Sequence, residues 1–134
     1  MLSHETSIRV RYGETDKMGV VYYGTYSLYY EVGRTELMRK YGISYNEMEK
    51  QGIQMPVFQL DCIYLKPAFY DDIIQIHTFL KELPKSKIKF EYEIYNSEKI
   101  LINKASTTLI FLNTKTGKPS RAPLMLLDKI KDFF

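Results

Sequence analysis

The segment that decides the fold is residues 22–42, which read YYGTYSLYYEVGRTELMRKYG. Apolar or small residues recur there at spacings of three and four, as they do on one face of an α-helix. That face carries Tyr26, Tyr30, Gly33, Leu37 and Tyr41. Gly42 follows directly and suits the left-handed conformation that ends many helices. The pattern predicts one long helix over residues 23–40, whose apolar face must be buried.

Outside this helix, apolar and polar residues alternate with the two-residue period of β-strands. The clearest case alternates Ile88, Phe90, Tyr92 and Ile94 with Lys and Glu. Strands are predicted at residues 3–12, 57–65, 73–83, 88–95 and 100–113, and short helices at 44–52 and from Pro123 onward. The turns between the later strands are too short for parallel crossovers. We therefore expect an α+β fold, an antiparallel sheet of about five strands wrapped around one long helix.

Composition narrows the function classes. The chain has 134 residues and a net charge of +3, and it is expected to form one domain over residues 1–134. Its five arginines are not clustered, which disfavours a nucleic-acid partner. A single cysteine, Cys62, excludes an intramolecular disulfide, and His4 and His77 lack metal-ligand spacing. No apolar run approaches a membrane span, so we expect no membrane insertion and a cytoplasmic location.

The loop before the long helix has two features that could support chemistry on a carbonyl group. Asp16 supplies a carboxylate, and exposed N–H groups around residues 22–26 form the positive pole of the helix start. Gly19 and Gly24 would let backbone and substrate approach closely. A carboxylate and a set of N–H donors on opposite sides of one carbonyl can together attack it and stabilise the oxyanion.

These residues also have a purely structural interpretation. Asp before a helix is usually a turn or cap residue that bonds its own backbone, and from the residues alone this interpretation is favoured for Asp16. Glu14 is expected to be solvated or paired with Arg11. Glu31 is expected to form an ion pair with Arg34, which follows it by three helical positions. Cys62 is expected to be a small core residue.

A resemblance to a known family favours the catalytic interpretation of Asp16 over the structural one. Residues 12–26 read YGETDKMGVVYYGTY and are followed by EVGRTE at 31–36. YLKPA at 64–68 precedes Asp71 and Asp72, and GKP at 117–119 precedes Pro123. These motifs, in this order, resemble the hotdog-fold acyl-CoA thioesterases of the 4-hydroxybenzoyl-CoA thioesterase superfamily, particularly its Tol–Pal-associated branch.

The resemblance implies roles for individual residues. Asp16 would be the catalytic carboxylate, acting as nucleophile or as general base, and the backbone N–H of Tyr23 would polarise the thioester carbonyl. Many members of the branch have histidine where this chain has Tyr23. Tyrosine is a poor base near neutral pH, because its reference pKa is about 10. Substrate contacts are expected from Gly19, Val20, Tyr22, Tyr26, Lys66 and Pro67.

The expected function is hydrolysis of acyl-CoA thioesters by a homodimer or homotetramer. No metal or cofactor is expected, since coenzyme A enters as part of the substrate. Cations in or beside turns could meet its phosphates, namely Lys66, Lys85, Lys87, Lys118 and Arg121. The alternative from another class is a non-catalytic acyl-CoA or lipid-binding hotdog module. An inactive dimeric scaffold also stays open. A hotdog dehydratase is disfavoured, because its chemistry resembles sites that pair histidine with a carboxylate and neither His4 nor His77 lies in such a setting.

Overall fold

The computed structural model describes residues 1–134. The α-helices are α1 (Tyr26–Lys40), α2 (Tyr45–Lys50) and α3 (Leu124–Ile130). The strands are β1 (Leu2–Arg9), β2 (Ile53–Gln54), β3 (Val57–Tyr64), β4 (Ile73–Leu80), β5 (Lys87–Tyr95), β6 (Leu101–Asn113) and β7 (Pro119–Ser120). Turns of 3-10 helix occupy Tyr12–Glu14, Tyr23–Thr25 and Lys131–Phe133.

One antiparallel sheet contains every strand. The five long strands lie in the order β1-β4-β5-β6-β3, and the two-residue strands β2 and β7 both pair with the end of β6. The helix α1 packs across β1, β4 and β5. The structure therefore confirms the predicted α+β architecture, a single antiparallel sheet around one long helix, with two short strands added.

The buried face of α1 is the face that the sequence predicted. Tyr26, Tyr30, Gly33 and Leu37 are all buried, and Gly42 ends the segment with a φ of +80°. The Tyr30 ring stacks on Tyr92 of β5 with ring centroids 4.8 Å apart. Gly33 has no side chain where α1 crosses the sheet, so the helix can approach β4 and β5 closely.

The ends of the chain differ from the prediction. The first strand stops at Arg9, and Tyr12 lies beyond it in a 3-10 turn with its side chain 77% exposed. His4 lies within this first strand and pairs with Thr78 in the β1–β4 ladder. In the last helix, predicted to begin near Pro123, Leu126 and Ile130 are buried, whereas Leu124 faces solvent.

The two edges of the sheet are unlike each other. On the outer face of β1 lie the polar residues Ser3, Glu5, Ser7 and Arg9, all exposed. The β3 edge carries large exposed apolar side chains, Phe58 and Ile63 among them. Cys62 of β3 is half-buried and packs against the core, as its predicted role as a small packing residue requires.

Candidate active site

The loop between β1 and α1 is a hydrogen-bonded hairpin. Thr15 and Val21 form a β-bridge, and the Asp16 N–H donates to the Val20 carbonyl at 2.9 Å. Gly19 closes the hairpin with a φ of +78°, a conformation in which a side chain would be strained. This backbone pairing fixes the position of Asp16 relative to the residues that begin the helix.

The two carboxylate oxygens of Asp16 have different surroundings. Oδ1 accepts hydrogen bonds from the N–H groups of Met18, at 2.8 Å, and Val20, at 3.4 Å. Oδ2 has no hydrogen-bond partner, and the residue is exposed. One oxygen therefore makes the turn contacts expected of a structural aspartate, while the other is free to act on a bound molecule.

The helical stretch begins with the 3-10 turn Tyr23–Thr25, which leads into α1. The N–H of Tyr22 already donates to Glu14 O, and the N–H of Thr25 to Tyr22 O, both at 2.9 Å. The N–H groups of Tyr23 and Gly24 lie between them at the helix start, where backbone donors ordinarily lack an intrahelical acceptor. A Cβ on Gly24 would lie 2.8 Å from the Tyr22 ring, so glycine lets that ring fold over the helix start.

Glu14 connects the loop to the helix. Its Oε1 accepts from the Arg11 N–H and from the Tyr29 hydroxyl, each at 2.9 Å, and its Oε2 accepts from Arg11 Nε at 2.9 Å. Burial alone would raise the pKa of Glu14, but the hydrogen bonds from Arg11 and Tyr29 outweigh burial and hold the pKa below its ordinary value. The predicted Arg11 pair is confirmed, whereas the contact with Tyr29 was missed.

A distant segment completes the site. The Val21 N–H donates to Ala68 O at 2.8 Å, and Val20 bridges Phe69, so the segment containing Lys66 and Pro67 runs beside the loop. Lys66 and Pro67 are both exposed there. The structure thus brings the 64–68 motif against the Asp16 loop, although more than forty residues separate them in the sequence.

The tyrosines expected at an acyl pocket occupy two different positions. Tyr22 is exposed, and its ring lies 4.5 Å from that of Tyr23, centroid to centroid. Tyr26 is buried between Tyr29 and Tyr64, with centroid distances of 5.6 and 5.4 Å, and burial raises the pKa of its hydroxyl. The Tyr64 hydroxyl donates to Tyr23 O at 3.2 Å, which holds the end of β3 at the helix start.

The cations considered for phosphate binding are spread over the molecule. Lys66 lies beside the loop, but β4 begins at the loop and runs away from it, which takes Lys85 and Lys87 to the opposite end of the sheet. Arg121 is near them, because the Ala122 N–H donates to Lys85 O. Within one subunit, therefore, these cations do not form a single phosphate site with Lys66.

Neither an ion pair on Arg34 nor a metal-binding cluster of side chains is present in the structure. The ion pair predicted between Glu31 and Arg34 is absent: no carboxylate lies within 4 Å of the buried Arg34 guanidinium. The helical spacing was right, but Glu31 is exposed while Arg34 turns inward under α1. The structure also contains no group of three or more His, Cys, Asp or Glu side chains that could hold a metal ion.

Comparison with known proteins identifies the family. A model of the thioesterase-like superfamily matches residues 10–130, nearly the whole chain. The chain belongs to the thioesterase-like superfamily. This membership confirms the predicted class of enzyme, a thioesterase. The matched residues include both the Asp16 loop and the 64–68 motif.

Two sequence relatives have names that mention acyl-CoA. YneP of Bacillus subtilis, provisionally assigned as an acyl-CoA thioesterase, is 38% identical over 112 residues, 84% of this chain and 81% of its own length. YbgC of Escherichia coli, named an acyl-CoA thioester hydrolase, is 29% identical over 124 residues, 92% of each chain. Neither name decides the Tol–Pal-associated branch, which stays a prediction.

A solved structure agrees with the sequence relatives. The DHNA-CoA thioesterase of Staphylococcus aureus is 38% identical and superposes with a TM-score of 0.88, over 99% of this thioesterase-like chain and 87% of its own. The likeness extends over the sheet, α1 and the loop that carries Asp16.

In this thioesterase-like chain, no helix is long and apolar enough to cross a membrane.

Proposed function

We propose that the protein hydrolyses acyl-CoA thioesters to the free acid and coenzyme A, with Asp16 as the catalytic carboxylate. The observation that carries this proposal is the unpartnered Oδ2 of Asp16, held in a hydrogen-bonded hairpin that leads directly into the helical stretch. The names of the relatives support acyl-CoA as the substrate class. The proposed reaction uses water as acceptor and needs no metal or cofactor.

The Asp16 carboxylate can act in two ways, and atoms and charges balance in both reactions. As general base, Oδ2 takes a proton from water while the water oxygen attacks the thioester carbon; the C–S bond then breaks and the thiolate recovers the proton. As nucleophile, Oδ2 attacks the carbon itself, coenzyme A leaves, and water hydrolyses the resulting acyl anhydride. A single turnover in oxygen-isotope-labelled water labels Asp16 only when water attacks the Asp16 carbonyl carbon of the anhydride and breaks its bond to the bridging oxygen, so label in Asp16 demonstrates the second route.

The N–H groups of Tyr23 and Gly24 are the proposed oxyanion donors. Negative charge develops on the carbonyl oxygen as either attack proceeds, and backbone donors at a helix start stabilise it without reorganising. This role belongs to the main chain, so it is unaffected by the tyrosine at position 23. The Tyr23 side chain has no part as a proton carrier in this mechanism.

We further propose that the active form is at least a homodimer, joined along β3. Only one side of β3 is paired, and Phe58 and Ile63 are each 58% exposed on it, a combination that favours edge-to-edge pairing with a second copy. The proposal keeps the expected single domain over residues 1–134 and the cytoplasmic location.

A panel of acyl-CoAs tests the function. Release of free coenzyme A from short-chain, long-chain and aromatic acyl-CoAs is followed with a thiol reagent. We expect turnover above the uncatalysed rate on at least one of them. The alternative, a non-catalytic acyl-CoA-binding module, is favoured by one observation, the use of Asp16 Oδ1 as an ordinary turn acceptor. Binding without release of coenzyme A from any substrate would support that alternative and overturn the proposal.

A further inference from the structure

A groove of about 300 Å³ lies between α1 and the edge strand β3. Leu28, Val57 and Leu60 supply apolar walls, and Glu31, Arg34 and Thr107 supply polar groups. The groove runs alongside the helix away from the candidate site, because Tyr64 holds one end of β3 at Tyr23 while Val57 at the other end lies near Arg34. A molecule whose thioester sits at the helix start would extend into it.

Arg34 is the unusual residue of this groove. Its side chain points inward and the residue is only 7% exposed, yet it forms no ion pair and its Nε has no hydrogen-bond partner. The guanidinium faces the buried hydroxyls of Tyr45 and Tyr92, which are neutral and supply no counter-charge. A guanidinium stays charged at every ordinary pH, and a buried charge without a counter-charge is costly. The groove therefore lacks an anion that would neutralise the Arg34 guanidinium.

The groove itself offers no anion that fills this role. Glu31 lies one turn before Arg34 and lines the same groove, but its side chain is exposed and lies more than 4 Å from the guanidinium. Thr107 is already bonded to the Tyr92 hydroxyl at 2.6 Å. A carboxylate delivered by a ligand would meet the buried cation directly, while the Glu31 charge at the rim is screened by water.

We propose that this groove binds acyl groups whose far end carries a carboxylate, and that Arg34 is the residue that recognises it. The inference rests on the proposed function, since it assigns the acyl part of the same substrate. Tyr23 and Arg34 are eleven positions apart, about 16 Å along the helix, and the Arg34 side chain lines the groove. A dicarboxylic acyl group of about six carbons spans the remaining distance. Its methylenes would lie against Leu28, Val57 and Leu60.

Adipyl-CoA and hexanoyl-CoA provide the test, because they have the same number of carbons and differ only in the terminal carboxylate or methyl. We expect wild-type kcat/KM to be about tenfold or more higher for adipyl-CoA. Arg34→Met should lower the adipyl-to-hexanoyl ratio by roughly the same factor, and Arg34→Lys should restore part of it. Glu31→Gln should raise the ratio, since it removes the negative charge at the rim.

A wild-type ratio of one or less overturns the proposal, and so does a ratio that Arg34→Met leaves unchanged. Thermal melting shows whether Arg34→Met is folded; if it is not, the wild-type comparison and the Arg34→Lys variant still decide.

Binding separates this inference from the proposed function. Calorimetric titration of the Asp16→Asn protein with each acyl-CoA requires no turnover, and we expect tighter binding of adipyl-CoA. If wild type hydrolyses neither compound but this difference is present, the groove assignment stands and the hydrolytic function fails. If both are hydrolysed and bound equally, the hydrolytic function stands and the groove assignment fails.

Discussion

The Tyr29 hydroxyl donates a hydrogen bond to Glu14 Oε1 at 2.9 Å, and this contact connects the loop that carries Asp16 to the first turn of α1. The Glu14 carbonyl accepts from the Tyr22 N–H at 2.9 Å and from Thr25 Oγ1 at 3.4 Å. Glu14 therefore links the loop that carries Asp16 to the residues that begin the helical stretch. Its hydrogen bonds join the loop to α1, so Glu14 is assigned as a positioning residue.

Glu14→Gln should lower the free energy of unfolding by about 1–3 kcal/mol, because it replaces charge-assisted hydrogen bonds from Arg11 and Tyr29 with neutral ones. Chemical denaturation measures this loss. The same substitution should reduce kcat less than Asp16→Asn does, since it leaves the catalytic carboxylate in place.

A double-mutant cycle with Tyr29→Phe isolates the contact. If the two side chains interact as the structure has them, the double variant loses less stability than the sum of the two single losses, by about 0.5–3 kcal/mol. If the two losses of stability simply add, the result contradicts the hydrogen bond between Tyr29 and Glu14.

The lowered pKa of Glu14 predicts a pH dependence. Its carboxyl has a pKa below the ordinary 4.5 in the folded protein, so the unfolded chain takes up the proton first as the pH falls. The stabilisation by Glu14 is complete above about pH 4.5 and is lost as the pH falls through the folded-state pKa. Melting temperatures measured from about pH 6 down to 3 should fall more steeply for wild type than for Glu14→Gln. Parallel curves would assign the acid sensitivity to other carboxylates.

The secondary structure and the fold class were accessible from the sequence because they depend on periodicity. The spacing of Tyr26, Tyr30 and Gly33 predicted the face of α1 that is buried, and the alternation around Phe90 predicted β5. Tyr12 continued the same alternation after Arg9, but the backbone turns there because Glu14 bonds the Arg11 N–H. A local side-chain contact outweighed the pattern.

The site was only partly accessible, because its decisive contacts join residues that are distant in sequence. Nothing in the alternation of the chain says that Tyr29 reaches Glu14, although a tyrosine on a buried helix face needs a partner for its hydroxyl. The orientation of Arg34 was equally hidden. Helical spacing placed it beside Glu31, but only the packing of α1 over β4 and β5 shows that it points inward.

Gly33→Ala should destabilise the protein although alanine favours helices. A Cβ at this position would lie 2.5 Å from Thr78 Oγ1 and 2.9 Å from Ile76 Cγ2, so α1 and β4 would have to move apart. Overpacking of this kind costs about 1–3 kcal/mol. Gly13→Ala is the matched control, because a Cβ there meets nothing within 4 Å. Equal melting temperatures for the two variants would show that the helix can shift freely.

Ile63→Lys should disrupt assembly along β3. Ile63 is exposed on the unpaired edge, and a lysine on an edge strand discourages pairing with another strand. Light scattering should give a multiple of 15.8 kDa for wild type and a lower mass for the variant. Ser7→Lys, on the opposite edge strand β1, should leave the mass unchanged. A wild-type mass of 15.8 kDa at micromolar concentration contradicts the proposed dimer.

Asp16→Asn should abolish most thioesterase turnover while the fold is retained. The asparagine Oδ1 can accept from the Met18 N–H as the aspartate Oδ1 does at 2.8 Å, so the hairpin keeps its hydrogen bond. The position of Oδ2 is then taken by an amide NH2, which can neither attack a thioester nor accept a proton from water. A general base typically contributes a factor of about 10²–10⁴, so kcat should fall by at least about a hundredfold. KM should change little, because the carboxylate acts mainly in the transition state.

Two comparisons separate chemistry from structure in this variant. Asp16→Ala removes the turn contact as well as the carboxylate, so it should lower the melting temperature, whereas Asp16→Asn should stay within a few degrees of wild type. Asp128→Asn neutralises an exposed aspartate of α3 and should leave kcat unchanged. If Asp16→Asn hydrolyses the best substrate as fast as wild type while Asp16→Ala is destabilised, Asp16 serves only the turn and the catalytic carboxylate lies elsewhere.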